Sequence, residues 1–111
     1  MRISAFLVIL LAVLTSTQVH GQSARDDAFF RGAVVDAVTG EPIPFVRIKV
    51  HRPDRSWDGQ CDYDGWFFIR CPKQWMFVEV SWKGYETQYF VVDLNGGYAD
   101  VPIALKRTAG N

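Results

Sequence analysis

The segment Trp66-Phe67-Phe68-Ile69-Arg70-Cys71-Pro72-Lys73-Gln74-Trp75-Met76-Phe77-Val78-Glu79-Val80-Ser81 decides the fold. Its apolar residues alternate with bulky or polar ones, the period-2 pattern of extended chain with one face buried. With Pro72 to Trp75 as a loop, the pattern predicts a hairpin in which Cys71 pairs with Met76, Ile69 with Val78 and Phe67 with Val80. Those six share one apolar face, and Trp66, Phe68, Arg70, Phe77, Glu79 and Ser81 share the other. A one-residue slip would carry Arg70 and Glu79 into the core, so burial specifies the register.

Outward from this segment, turn residues recur every eight to twelve positions, the spacing of an all-β sandwich or barrel. Gly32 to Asp36 reads as a first strand, stopped by Thr39-Gly40-Glu41-Pro42. In Phe45 to Val50, Val46, Ile48 and Val50 face inward, while Arg47 and Lys49 face water. His51 to Ser56 reads as a loop and Trp57 to Cys61 as a weak strand, which runs into the turn Asp62-Tyr63-Asp64-Gly65. After Lys83-Gly84, Tyr85 to Val92 forms another strand. Asn95-Gly96-Gly97 is expected to close a hairpin with Tyr98 to Lys106. Pro102, lacking an N–H, places that last strand at a sheet edge.

Met1-Arg2, the apolar stretch Ile3 to Leu14 and the small-residue end Val19-His20-Gly21 have the layout of a secretory signal peptide, a helix cleaved after Gly21. That stretch is too short to span a membrane. The expected organisation is therefore a signal peptide at 1–21, a flexible leader at 22–29, one domain at 30–106 and a tail at 107–111. The chain has 111 residues and zero formal net charge, enough for a single domain and without the basic excess that nucleic acid or an anionic membrane would attract.

Three segments taken together resemble the carboxypeptidase regulatory-like family: Gly32-Ala33-Val34-Val35-Asp36 with Thr39-Gly40-Glu41-Pro42-Ile43-Pro44, Asp62-Tyr63-Asp64-Gly65-Trp66-Phe67-Phe68-Ile69, and Val80-Ser81-Trp82-Lys83-Gly84-Tyr85-Glu86-Thr87. The resemblance covers roughly residues 30–106. It implies a seven-stranded antiparallel transthyretin-like (prealbumin-like, immunoglobulin-like) β-sandwich. Such domains are abundant in exported proteins of Bacteroidetes-type bacteria, often ahead of outer-membrane receptors or enzymes. Within the motif, Asp36, Gly40, Asp62, Asp64, Gly65, Phe67, Gly84 and Tyr85 take turn and core roles. Cys61 departs from the pattern, which commonly has threonine there. In zinc carboxypeptidases this sandwich is an accessory domain and the catalytic machinery lies elsewhere.

The residues themselves point away from catalysis. His51 is the only histidine after Gly21, and no H-E-x-x-H is present. Asp58, Asp62 and Asp64 fail a calcium loop, because Gln60 occupies an acidic position and the closing Glu is missing. Asx-type bonding within the turn accounts for Asp62 and Asp64 better. There is no G-x-S-x-G nucleophile motif. The expectation is no enzyme, no cofactor and no metal.

With Asp62 to Gly65 as a four-residue turn, Cys61 faces Trp66 and Cys71 lies about five residues further along, about 16 Å away at about 3.3 Å per residue. A disulfide needs Cα atoms within about 7 Å. Two separate thiols are therefore expected, with an intermolecular bridge as the minority option. The basic run Arg47, Lys49, His51, Arg52 and Arg55, balanced by Asp54 and Asp58, reads as a solvated face and loop.

The candidate ligand or partner face is Trp66, Phe68 and Phe77, flanked by Arg70 and Glu79. The competing reading, placed ahead of it, has Phe29-Phe30 or a loop covering these rings, since large exposed apolar patches on monomers are uncommon. The function expected from the whole is a non-catalytic accessory or binding module in the periplasm or at the cell surface. Its favoured partner is a protein of the cell envelope, with no nucleic acid and no membrane span. One alternative is a carbohydrate-binding module using the outward aromatics. The other is a structural fragment related to the leading domain of outer-membrane (TonB-dependent) receptors.

Overall fold

The computed structural model describes residues 27–109, so the expected signal peptide lies outside the described residues. Seven strands follow in order: β1 (Asp27–Asp36), β2 (Arg47–Arg52), β3 (Arg55–Gln60), β4 (Trp66–Pro72), β5 (Trp75–Ser81), β6 (Gln88–Asp93) and β7 (Tyr98–Leu105). They form two sheets, one ordered β4-β1-β7 and the other β3-β2-β5-β6. The inward-facing residues of both sheets share a single core, which makes the domain a β-sandwich.

The alternation in 66–81 is as the sequence dictates. Phe67, Ile69, Cys71, Met76, Val78 and Val80 are all buried. Their pairing is different from the expectation. β4 pairs with β1, Ile69 lying opposite Phe30, and β5 pairs with β2 and β6, Val78 lying opposite Val50 and Phe90. Residues 72–75 therefore cross from one sheet to the other and do not close a hairpin. A strand has only two edges, and both edges of β5 are occupied. The same correction applies at Asn95-Gly96-Gly97, which carries the chain from β6 in one sheet to β7 in the other.

The wholly antiparallel expectation also needs correcting, because β1 and β7 run parallel, with Val34 beside Ile103. Strands at opposite ends of the described chain can be parallel because the rest of the domain is the crossover. β7 is an edge strand, as Pro102 required. β1 starts at Asp27, so residues 27–29, expected to end the flexible leader, are paired with β4. The loop expected over 51–56 shrinks to Pro53-Asp54 between β2 and β3, and β6 begins only at Gln88.

Phe30 is fully buried and meets the Phe67 ring edge-on, with centroids 5.0 Å apart. Burying a side chain of that size contributes about 1.5–3 kcal/mol. Gly32 makes the neighbouring contact possible. A Cβ there would collide with the Val101 carbonyl oxygen and come within 2.9 Å of the Phe67 ring. Gly40, Gly65 and Gly84 take positive φ of 76°, 83° and 88°, as their turn positions anticipate. Gly32→Ala should therefore lower stability by about 1–3 kcal/mol through overpacking, measured by urea unfolding. An unchanged midpoint would contradict this packing.

Candidate functional site

At one end of the sandwich, the motif residues form a polar lock. Asp36 ends β1 and is 2% exposed. Its Oδ1 accepts the backbone N–H groups of Val38 and Thr39 at 2.8 and 3.0 Å. Its Oδ2 accepts the Tyr85 hydroxyl and the Arg107 Nε–H, each at 2.8 Å. An antiparallel bridge between Tyr85 and Arg107 closes the same corner. The Thr39 amide, then Arg107, Tyr85 and the Val38 amide, hold the Asp36 carboxyl well below the usual carboxylate range against the opposing effect of burial. The hydrogen bond to Asp36 in turn raises the Tyr85 hydroxyl. Arg107, which the sequence reading left in the tail, is the member of this lock that it missed.

At the other motif turn, Asp62 Oδ1 accepts the N–H groups of Asp64 and Trp66 at 2.9 and 3.0 Å. This is the Asx bonding expected there, and it sets Trp66 at the start of β4. Cys61 and Cys71 are buried, free thiols. Burial, then the Asp62 charge, pushes Cys61 up to about 11, and burial with Asp27 raises Cys71. Neither is an activated nucleophile. Among the described residues no three His, Cys, Asp or Glu side chains gather as a metal-binding set.

The five residues expected on one ligand face do not share a face. Trp66, Phe68 and Arg70 lie on the outside of the β4-β1-β7 sheet, whereas Phe77 and Glu79 lie on the outside of the other. The cause is the crossing at 72–75. Residues that would be neighbours in a hairpin are placed on opposite surfaces.

The β4-β1-β7 face is built in cross-strand rows. Phe29 lies between Arg70 and Tyr98, Arg31 between Phe68 and Asp100, and Ala33 between Trp66 and Pro102. Phe29 stacks on Phe68 at 5.4 Å, and the Arg31 guanidinium sits 5.1 Å from the Trp66 ring centre. Arg70 is bound to Asp27 at 2.6 Å and Arg31 to Asp100 at 3.5 Å. The covering expected from Phe29-Phe30 is not seen. Phe30 enters the core, and beside Phe29 the Phe68 and Trp66 rings remain 62% and 45% exposed. Phe29, Arg31 and Tyr98 are the face residues that the sequence reading missed. For Phe29 and Arg31 the signal was the alternation of β1 upstream of Gly32, whereas Tyr98 joins the face through the pairing of β7 with β1.

On the opposite face, Trp75 and Phe77 meet edge-on at 5.1 Å, His51 lies 5.6 Å from Phe77, and Arg52 covers Trp75 at 4.1 Å. Tyr89 and Val91 of β6 continue this apolar end outward, exposed and next to Glu79 and Phe77. The other end is polar, with Lys49 between Asp58 and Glu79 and Arg47 between Gln60 and Ser81. Arg47 and Lys49 thus form the solvated strand face expected of the basic run, whereas His51 and Arg52 are half-buried against the Phe77 and Trp75 rings.

No family model and no curated protein matches the chain. Solved structures do. The TIE protein of Bacillus anthracis superposes with a TM-score of 0.63 at 15% identity, over 74% of this chain and 17% of its own. The 3-chlorocatechol 1,2-dioxygenase of Rhodococcus opacus gives 0.61 at 13% identity, over 75% and 61%. A DUF3823 family protein from Parabacteroides merdae gives 0.57 at 14% identity, over 74% and 46%. The chain spans less than two thirds of each of these proteins, and at such identities the likeness is one of fold: a β-sandwich domain of a kind present in bacterial proteins.

The lock has a pH signature. A carboxyl held below its unfolded value of about 3.9 stabilises the fold fully above that value and loses its contribution as pH falls toward its folded value. Wild-type unfolding midpoints should therefore drop steeply below about pH 4, and the Asp36→Asn variant should show a flatter acid limb with lower stability at neutral pH. Tyr85→Phe, which removes one hydrogen bond and leaves the others, should cost about 1–2 kcal/mol. Parallel acid limbs in the wild type and Asp36→Asn would contradict the lock.

Proposed function

We propose that this chain is a non-catalytic, exported accessory module of the carboxypeptidase regulatory-like type, which binds a protein of the cell envelope in the periplasm or at the cell surface. The observation that carries the reading is the β4-β1-β7 face, where Phe29, Trp66, Phe68 and Tyr98 stand exposed. Four exposed aromatics on one rigid sheet, with Arg31 and Arg70 among them, have the composition of a protein-interface core: aromatic and arginine-rich, with few free charges. Arg70 and Arg31 are also paired on the face with Asp27 and Asp100, which bias their side chains toward these positions.

Export rests on the signal-like residues 1–21. The non-catalytic reading rests on how the polar groups are used, since Asp36 is committed to the lock and both cysteines are buried. The dioxygenase likeness concerns fold alone and does not carry an activity across. A glycan-binding reading has less support, because it required Trp66, Phe68 and Phe77 on one platform. The Trp66 ring is also already stacked by Arg31.

Affinity capture from the native envelope, with crosslinking through the β4-β1-β7 face, tests the proposal. Phe68→Asp should abolish capture of the partner while leaving the chain folded, at a cost of about 1–2 kcal/mol from the lost Phe29 stacking and the poor fit of Asp in a strand. Unaltered capture by Phe68→Asp would overturn the assignment of this face. Glycan-array binding that Phe68→Asp removes would favour the carbohydrate reading instead.

A further inference from the structure

The four edge strands differ in how they are protected from pairing with other chains. β7 carries Pro102, which removes a backbone donor. β3 carries Arg55, Asp58 and Gly59. β4 carries Arg70 and ends in Pro72. β6, Gln88-Tyr89-Phe90-Val91-Val92-Asp93, has no Pro, Gly, Lys or Arg, and it ends the four-stranded sheet. An edge strand without such guards is a template for strand addition.

Its backbone direction is fixed by one turn contact. The Leu94 N–H donates to the Gln74 carbonyl at 3.1 Å, which makes Gln74 and Leu94 a hydrogen-bonded pair. Antiparallel alternation makes Met76–Val92 and Val78–Phe90 the next such pairs. Tyr89, Val91 and Asp93 therefore direct their backbone N–H and C=O groups off the sheet. Tyr89 and Val91 also hold exposed side chains on its outer face, 70% and 58% accessible.

We propose that β6 pairs antiparallel with β6 of a second copy of this chain, with Phe90 on the two-fold axis. The strand is complementary to itself in this register. Tyr89 lies opposite Val91 of the mate, and Val91 opposite its Tyr89. Each pair exchanges two backbone hydrogen bonds and sets an aromatic ring against a β-branched side chain. Both copies gain a continuous outer row of Phe77, Val91 and the mate's Tyr89. The charge pattern fits as well. Asp93 falls outside the paired segment, and its carboxylate already accepts the Asn95 N–H and side-chain amide at 3.0 and 2.8 Å. No like charges meet across the junction, which is an isologous contact that closes as a dimer.

Sedimentation equilibrium and amide exchange on the purified chain test this. The wild type should sediment at twice the chain mass at micromolar concentration, and Val91→Lys at the monomer mass with an unchanged far-ultraviolet spectrum. Phe68→Asp, on the opposite face, should remain dimeric, so this result and the partner-face result stand or fall separately. The Tyr89 and Val91 amides should exchange more slowly as concentration rises, while their slowing is lost in Val91→Lys. A monomeric wild type, a dimer that survives Val91→Lys, or a dimer that Phe68→Asp breaks would each overturn the proposal.

Discussion

Every feature of this domain depends on one apolar layer, about 10 Å thick, that two sheets fill from opposite sides. Phe67, Ile69 and Cys71 enter it from one sheet and Met76, Val78 and Val80 from the other. These side chains therefore meet across the core and do not lie side by side on a single sheet. The close approach of β7 to β1 at Gly32 belongs to the same constraint, since any side chain there would push Val101 and Phe67 away.

The polar lock closes what the apolar layer leaves open. Asp36, Tyr85 and Arg107 come from the end of β1, the segment before β6 and the residues after β7. A buried carboxylate is costly unless its oxygens are satisfied, and here four donors satisfy it. The burial cost turns into specificity: the corner assembles only when these three distant segments converge.

The sequence made the face of each residue legible, but not its partner strand. Period-2 alternation states which side of a strand is buried, and that assignment holds for Phe67 through Val80 and for Val46, Ile48 and Val50. A hairpin and a sheet crossing satisfy the same alternation, so 66–81 alone could not distinguish them. What decides is that β2 and β6 occupy both edges of β5, a fact set by segments far away in sequence. Arg107 escaped notice for a similar reason, since its carboxylate partner lies 71 residues earlier. Gly40, Gly65, Gly84 and the Asp62 turn were legible because their bonding is local.

The crossing also determines what the surface offers. It divides the exposed aromatics into a Phe29, Trp66, Phe68 and Tyr98 face and a Trp75, Phe77 and Tyr89 face. A single distance tests that division most directly: spin labels at positions 68 and 79, both outside the core. Strands in separate sheets with outward-pointing labels should give a separation of about 20 Å or more, since the sheets alone stand about 10 Å apart. A separation near the 5 Å or so of directly paired residues would restore the hairpin and contradict the two-faced sandwich.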